Sequence, residues 1–114
     1  MSVFTSITPV FAVAPQLGPQ DMDAAAQAGF KSVICNRPDG EGGREQPLSA
    51  EMRAAAEQAG LKFVYMPVDG ANIQADDVSQ MGELLDTLPT PVLAYCRSGG
   101  RSTKLFMLAT TGAN

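Results

Sequence analysis

The chain has 114 residues, 45% of them hydrophobic and 18% charged, with a formal charge of −4. That length suits one compact domain, 1–114, with a core of its own and no room for a second. The acidic balance argues against nucleic acid or an anionic membrane as the main partner. The lack of any histidine excludes a Ser-His-Asp triad, a Cys-His pair and a His-ligated metal within the chain.

Along the chain, short apolar runs alternate with helical patterns, the signature of an α/β domain with a largely parallel sheet. A first strand covers 7–14, broken by Pro9. Pro19 suits the first turn of a helix that runs through Met22, Ala25 and Ala26 and stops at Gly29. The apolar run 32–36 is a strand, and 41–47, rich in glycine and charge, is an exposed loop. Ser49 suits an N-cap for a helix over 50–59, with Gly60 as its left-handed stop. A strand follows at 62–66, then a helix over 75–88 whose apolar stripe is Val78, Met81, Leu84, Leu85 and Leu88. A central strand at 91–95 and a last helix over 102–109 complete a sheet of about four strands flanked by helices, with 110–114 expected to fray.

In a parallel sheet the strand C-termini share one edge, where ligands of open α/β folds bind. That edge should gather Asn36-Arg37, Asp69-Gly70 and Cys96-Arg97. Between the last strand and the last helix runs Cys96-Arg97-Ser98-Gly99-Gly100-Arg101-Ser102. Gly99 and Gly100 allow the positive φ angles with which successive N–H groups turn inward as an anion-binding nest. The helix start adds its positive dipole end. A cysteine there should be largely thiolate at neutral pH, and the planar fork of Arg101 can grip two oxygens of an oxyanion. Ser102 can bond the sulfur while capping the helix, and Arg97 and Ser98 can lend backbone N–H groups.

The loop resembles those of rhodanese sulfurtransferases and, less closely, of cysteine-dependent phosphatases. The wider chain is similar to the small bacterial phosphatase-like domain also found fused to metallo-β-lactamase-like hydrolases, the DUF442 family. The resemblance runs through Ile7-Thr8-Pro9 with Gln16-Leu17, Ala28-Gly29-Phe30-Lys31-Ser32-Val33-Ile34, Asn36-Arg37-Pro38-Asp39-Gly40, Pro67-Val68 and the segment from Pro91 to Ser102. It implies a fold like that of dual-specificity phosphatases, with Cys96 as nucleophile.

Two features pull in opposite directions. Cysteine phosphatases usually place five residues between Cys and Arg and a histidine before the cysteine; here four residues intervene and Tyr95 precedes, as in a rhodanese loop that carries a persulfide. Asp69, after the neighbouring strand, stands where phosphatases of this type carry the acid that protonates the leaving oxygen, and it equally fits a turn beside Gly70. Arg37 either reaches the same anion or, with Asn36, braces the cysteine loop; a plain turn role for Asn36 through Gly40 fits equally well. Cys35 reads as a small core residue, with a Cys35–Cys96 disulfide as an alternative. The reading is a phosphatase-like hydrolase using Cys96, Arg101 and Asp69. The alternatives are a rhodanese-like sulfurtransferase and a non-catalytic oxyanion- or partner-binding module. No cofactor or metal is expected; the partner is a small anionic phosphoester or sulfane-sulfur donor. No run nears the ~20 apolar residues of a membrane helix, the first residues lack a signal-peptide pattern, and the widely spaced cysteines fit a reduced, cytoplasmic protein.

Overall fold

The computed structural model describes residues 3–111. Its strands are β1 (Thr5–Thr8), β2 (Phe11–Ala14), β3 (Ser32–Cys35), β4 (Lys62–Tyr65) and β5 (Val92–Tyr95). They form one sheet in the order β1-β2-β5-β3-β4. The helices are α1 (Asp21–Gln27), α2 (Ser49–Gln58), α3 (Ala75–Thr87) and α4 (Gly100–Thr110).

The fifth strand comes from Pro9. Proline has no N–H for a ladder, and the 7–14 run folds there into an antiparallel β1–β2 hairpin. Thr8 Oγ1 closes the turn by accepting the Val10 N–H at 3.1 Å. All other pairings are parallel, and they end in step: Ala14 and Cys35 both lie opposite Tyr95, and Cys35 lies opposite Tyr65. The residues that follow β2, β3, β4 and β5 therefore emerge together at one edge.

Strand alternation sorts the core into two layers. Ala12, Ala14, Val33, Cys35, Phe63, Leu93 and Tyr95 face α1 and α2, where Met22, Ala25, Met52 and Ala56 meet them. Phe11, Val13, Ile34, Val92 and Ala94 face Met81 of α3 and Leu105 of α4. Phe11 also stacks on Phe106 at 4.1 Å between ring centroids, seating α4 on the sheet. Truncating a fully buried member such as Leu93 to alanine should cost ~2–5 kcal/mol.

Several local expectations change. Ser49 is not the N-cap: α2 begins at Ser49 after an extended Leu48. The Ser49 N–H and hydroxyl both donate to the Asp39 carboxylate at 2.7 Å, and Glu51 Oε1 accepts the Leu48 N–H. A nearby carboxylate from another loop outbids the local cap. The 41–47 loop holds a 3₁₀ turn, Gly43–Glu45, and is not wholly exposed. Gln46 is buried, accepting from the Gly42 N–H and donating to the Pro38 carbonyl. In the α3 stripe only Met81 is fully buried; Val78, Leu84, Leu85 and Leu88 are half-buried, and Leu88 lies just past the helix. α4 extends through Thr110, and of the expected frayed end 112–114 lie outside the described residues.

Candidate active site

The three loops expected at the sheet edge do converge. Cys96 leaves β5 with its N–H donating to the Ala14 carbonyl at 3.4 Å, and the Arg97 carbonyl accepts the Gln16 N–H at 3.1 Å. The chain then turns at Gly99, whose φ of +94° makes it the left-handed N-cap of α4, a conformation costly for other residues. Gly100 is not a second such position. It is the first helical residue, so the helix starts two residues before Ser102 and Ser102 does not cap it. Its N–H donates to Ser98 Oγ at 3.3 Å.

The sulfur of Cys96 sits under this loop, 1% exposed. The Gly99 N–H donates to it at 3.1 Å. Burial alone would push the thiol up, but N–H and O–H donation from Ser102, with the Gly99 and Ser98 N–H groups, outweighs it and leaves the pKa below the ordinary value. This is thiolate stabilisation by backbone donors at a helix start, with no imidazole involved.

Ser102 is held by Asn36. The buried Asn36 side chain donates through Nδ2 to the Met66 carbonyl at 3.1 Å, which orients its Oδ1 to accept the Ser102 hydroxyl at 2.9 Å. A hydroxyl has one proton, so on ionisation of Cys96 that proton must turn from Asn36 to sulfur. Asn36 thus braces the loop, as one of its two expected roles had it.

Arg101, in the first turn of α4, places a cation at the helix end where the dipole favours an anion, and no acidic residue lies in that turn. Its Nη1 donates to the Val68 carbonyl at 2.9 Å, the Asn36 carbonyl at 3.3 Å and Glu41 Oε2 at 3.1 Å; its Nη2 donates to Glu41 Oε1 at 3.0 Å. Its Nε is buried and has no partner among the described residues. The pinned head thus leaves open the side-on fork of Nε–H and the neighbouring Nη2–H, a geometry that takes two oxygens of one anion. Gly70 makes room for it: a Cβ there would lie 2.7 Å from Nε.

Glu41 was read as part of an exposed loop, and its role was missed. It bridges Arg101 and Arg37, with Arg37 Nε donating to Oε1 at 3.0 Å. Arg101, and after it Arg37, hold its carboxyl below the usual carboxylate range against the opposing effect of burial. The signal was weak because Glu41 approaches from a loop, 60 residues from Arg101, where no periodicity applies. Gln16 also reaches the site, accepting from Arg37 Nη1 at 3.2 Å. Arg97 is exposed and lines the same pocket as Arg37, Glu41 and Arg101. Asp69 is exposed, with Oδ1 accepting the Ala71 N–H at 3.0 Å.

Cys35 and Cys96 are both free thiols, and a disulfide between them is not what the strands build. Cys35 lies opposite Tyr95, so Cys96, one residue on, points to the other face. Among the described residues no group of three or more His, Cys, Asp or Glu could hold a metal ion, and no helix is long and apolar enough to cross a membrane.

Residues 3–113 match the family described as the β-lactamase hydrolase-like protein, phosphatase-like domain. The chain belongs to that family. A β-lactamase hydrolase-like protein of Agrobacterium fabrum is 34% identical over 88 residues, 77% of this chain and 20% of its own. The chain therefore spans about a fifth of that relative's length. A candidate phosphatase of Neisseria meningitidis Z2491 superposes with a TM-score of 0.86 at 37% identity, over 93% of this chain and 75% of that one. A DUF442 candidate phosphatase of Shewanella putrefaciens CN-32 shares the fold at a TM-score of 0.79 and 23% identity, over 94% and 66%. The domain is phosphatase-like in family and in fold.

Proposed function

We propose that the domain is a cysteine-dependent phosphoester hydrolase. The observation that carries this is the pairing of a thiol of lowered pKa with an arginine whose buried Nε has no partner, both at the start of one helix. Cys96 thiolate attacks phosphorus as the P–O bond to the leaving group breaks, giving a phosphocysteine. The side-on fork of Arg101 and the N–H groups of Arg97 and Gly100 hold the equatorial oxygens, the Gly100 N–H leaving Ser98 Oγ to do so, while the Ser98 and Gly99 N–H groups stay on the sulfur. Asp69, as the acid, gives its proton to the leaving oxygen, then takes one from the water that attacks phosphorus and restores the thiolate. Small anionic phosphoesters are the substrate class. Release of p-nitrophenol from its phosphate ester, abolished by Cys96→Ser, tests the reading; equal release by the variant would refute it. For Asp69, Asp69→Asn should lower turnover at least ~100-fold.

A second reading rests on the four residues between Cys96 and Arg101. In it, the thiolate attacks the outer sulfur of thiosulfate and sulfite departs with the electron pair of the broken S–S bond. Cyanide then removes the sulfane sulfur as thiocyanate. Thiocyanate formation with a persulfide mass on Cys96, and no p-nitrophenol release, would favour it. An oxyanion-binding module that lacks catalysis is the outcome if both assays fail while phosphate still binds.

A further inference from the structure

Beside the cysteine loop lies a pocket of about 500 Å³ lined by Arg37, Glu41, Gly42, Arg97 and Arg101. Three of the chain's eight Lys and Arg residues stand around it against one carboxylate, so a protein of net charge −4 carries here a local excess of two positive charges. Glu41 lies between two of the guanidinia, with three N···O distances of 3.0–3.1 Å. That arrangement already works as a receptor for an anion, and its present occupant is tethered only by a partly exposed side chain.

Donors remain unused. Arg37 spends Nε on Glu41 and Nη1 on Gln16, while Nη2 lies where a Cβ on Gly42 would come within 2.5 Å; the glycine leaves that nitrogen open. The Arg97 side chain has no hydrogen-bond or ion-pair partner among the described residues. Arg101 links the two places: its Nε has no partner among the described residues and is free for the reacting anion, and its end-on fork holds Glu41.

We propose that this pocket is a second anion subsite. It takes a phosphoryl group adjacent to the one that reacts at Cys96, and that group displaces the Glu41 carboxylate. The subsite rests on the reading of the Cys96 loop as the reacting-anion site, and it narrows the substrate to molecules carrying two phosphoryl groups close together, joined directly or through a short linker. Arg37 and Arg97 grip the second group, and Glu41 keeps the arginines ordered when the pocket is empty.

The test is calorimetric binding of inorganic phosphate and of pyrophosphate, at matched ionic strength, to the full chain carrying Cys96→Ser. Pyrophosphate should bind ~10-fold tighter, the scale of one added guanidinium contact at moderate dielectric. Arg97→Gln should bring the ratio of the two affinities close to one, and Glu41→Gln should widen it. Lys31→Gln, an exposed cation at the opposite end of the sheet, controls for net charge and should leave the ratio in place. A ratio of one in the parent, a ratio that Lys31→Gln lowers as much as Arg97→Gln, or a narrower ratio in Glu41→Gln would each overturn the subsite. If p-nitrophenyl phosphate is not hydrolysed but the ratio behaves as stated, the hydrolase reading fails and the subsite stands. If phosphate itself does not bind, both fall.

Discussion

The two cysteines are buried to almost the same degree, 3% exposed for Cys35 and 1% for Cys96, and their acidities move in opposite directions. Both lose water, which disfavours a thiolate. Around Cys35 burial prevails, and its pKa is raised; its S–H donates to the Arg37 carbonyl at 3.4 Å and it neighbours the buried Tyr95, itself pushed above the usual range by burial. Around Cys96 the N–H groups of a left-handed turn and a helix start prevail. At the end of β3, in the core, the thiol is made less acidic; one residue past the end of β5, under the turn before α4, it is made more so. Depth does not make the difference; the direction of the surrounding N–H groups does.

The comparison breaks if the wrong thiol carries the chemistry. Cys96→Ser should lower p-nitrophenyl phosphate turnover by ~10³-fold or more, and Cys35→Ser should leave it within about twofold. Arg101→Lys keeps the charge but loses the fork. It should lower kcat/KM by ~10²–10³-fold, without a comparable fall in thermal stability.

Asn36→Ala probes the brace. It leaves the Met66 carbonyl and Ser102 hydroxyl short of partners, at ~1–3 kcal/mol of stability in urea unfolding. As a positioning residue, its signature is a shift of the kcat/KM–pH profile to lower pH, because the Ser102 proton no longer has to leave Asn36 when Cys96 ionises; simple destabilisation would not produce that shift. A comparison of Cys96 titration with and without Ser102→Ala sharpens this further. Followed by thiolate absorbance, the parent midpoint should lie below the ~8.5 of an ordinary cysteine, and the variant's should move up. The sign in stability follows. A depressed folded pKa means fewer protons bound by the native state, so this contribution is full above the unfolded value and is lost as pH falls through the folded one. Cys96→Ser should flatten that rise in unfolding free energy. A smaller effect than that of Arg101→Lys is expected of Gly70→Ala, whose Cβ meets Arg101 Nε at 2.7 Å: about a tenfold loss in kcat/KM.

Much of this was legible in the residues. Every α-helix was located, by apolar period or by its start and stop residues, and the strand-Cys-Gly-Gly-Arg-helix order gave the turn at Gly99 before the last helix, because local backbone preference and dipole direction are written locally. Pro9 announced a break, but not that both halves would be strands, since hairpin pairing depends on what lies beside them. The cap at Ser49 failed because Asp39 reaches it from another loop. The Asn36 brace was legible as one of its expected roles, but Glu41 and Gln16 were not, for the same reason: each joins segments with no common period, and only the in-step ends of parallel strands bring them together. Asp69 is written as plainly for a turn as for an acid, and its bond to the Ala71 N–H fits the turn without touching the other role.

The Asn36 side chain has a consequence for how the domain is assembled. Its partners lie 30 and 66 residues further along the chain, so they meet only after β3 has paired with β4 and α4 has docked. Contacts of such separation form slowly and late. The hold on Ser102 is therefore set at the end of folding, whereas the N–H groups that lower the Cys96 pKa come from residues within six positions of it and can assemble with the helix start.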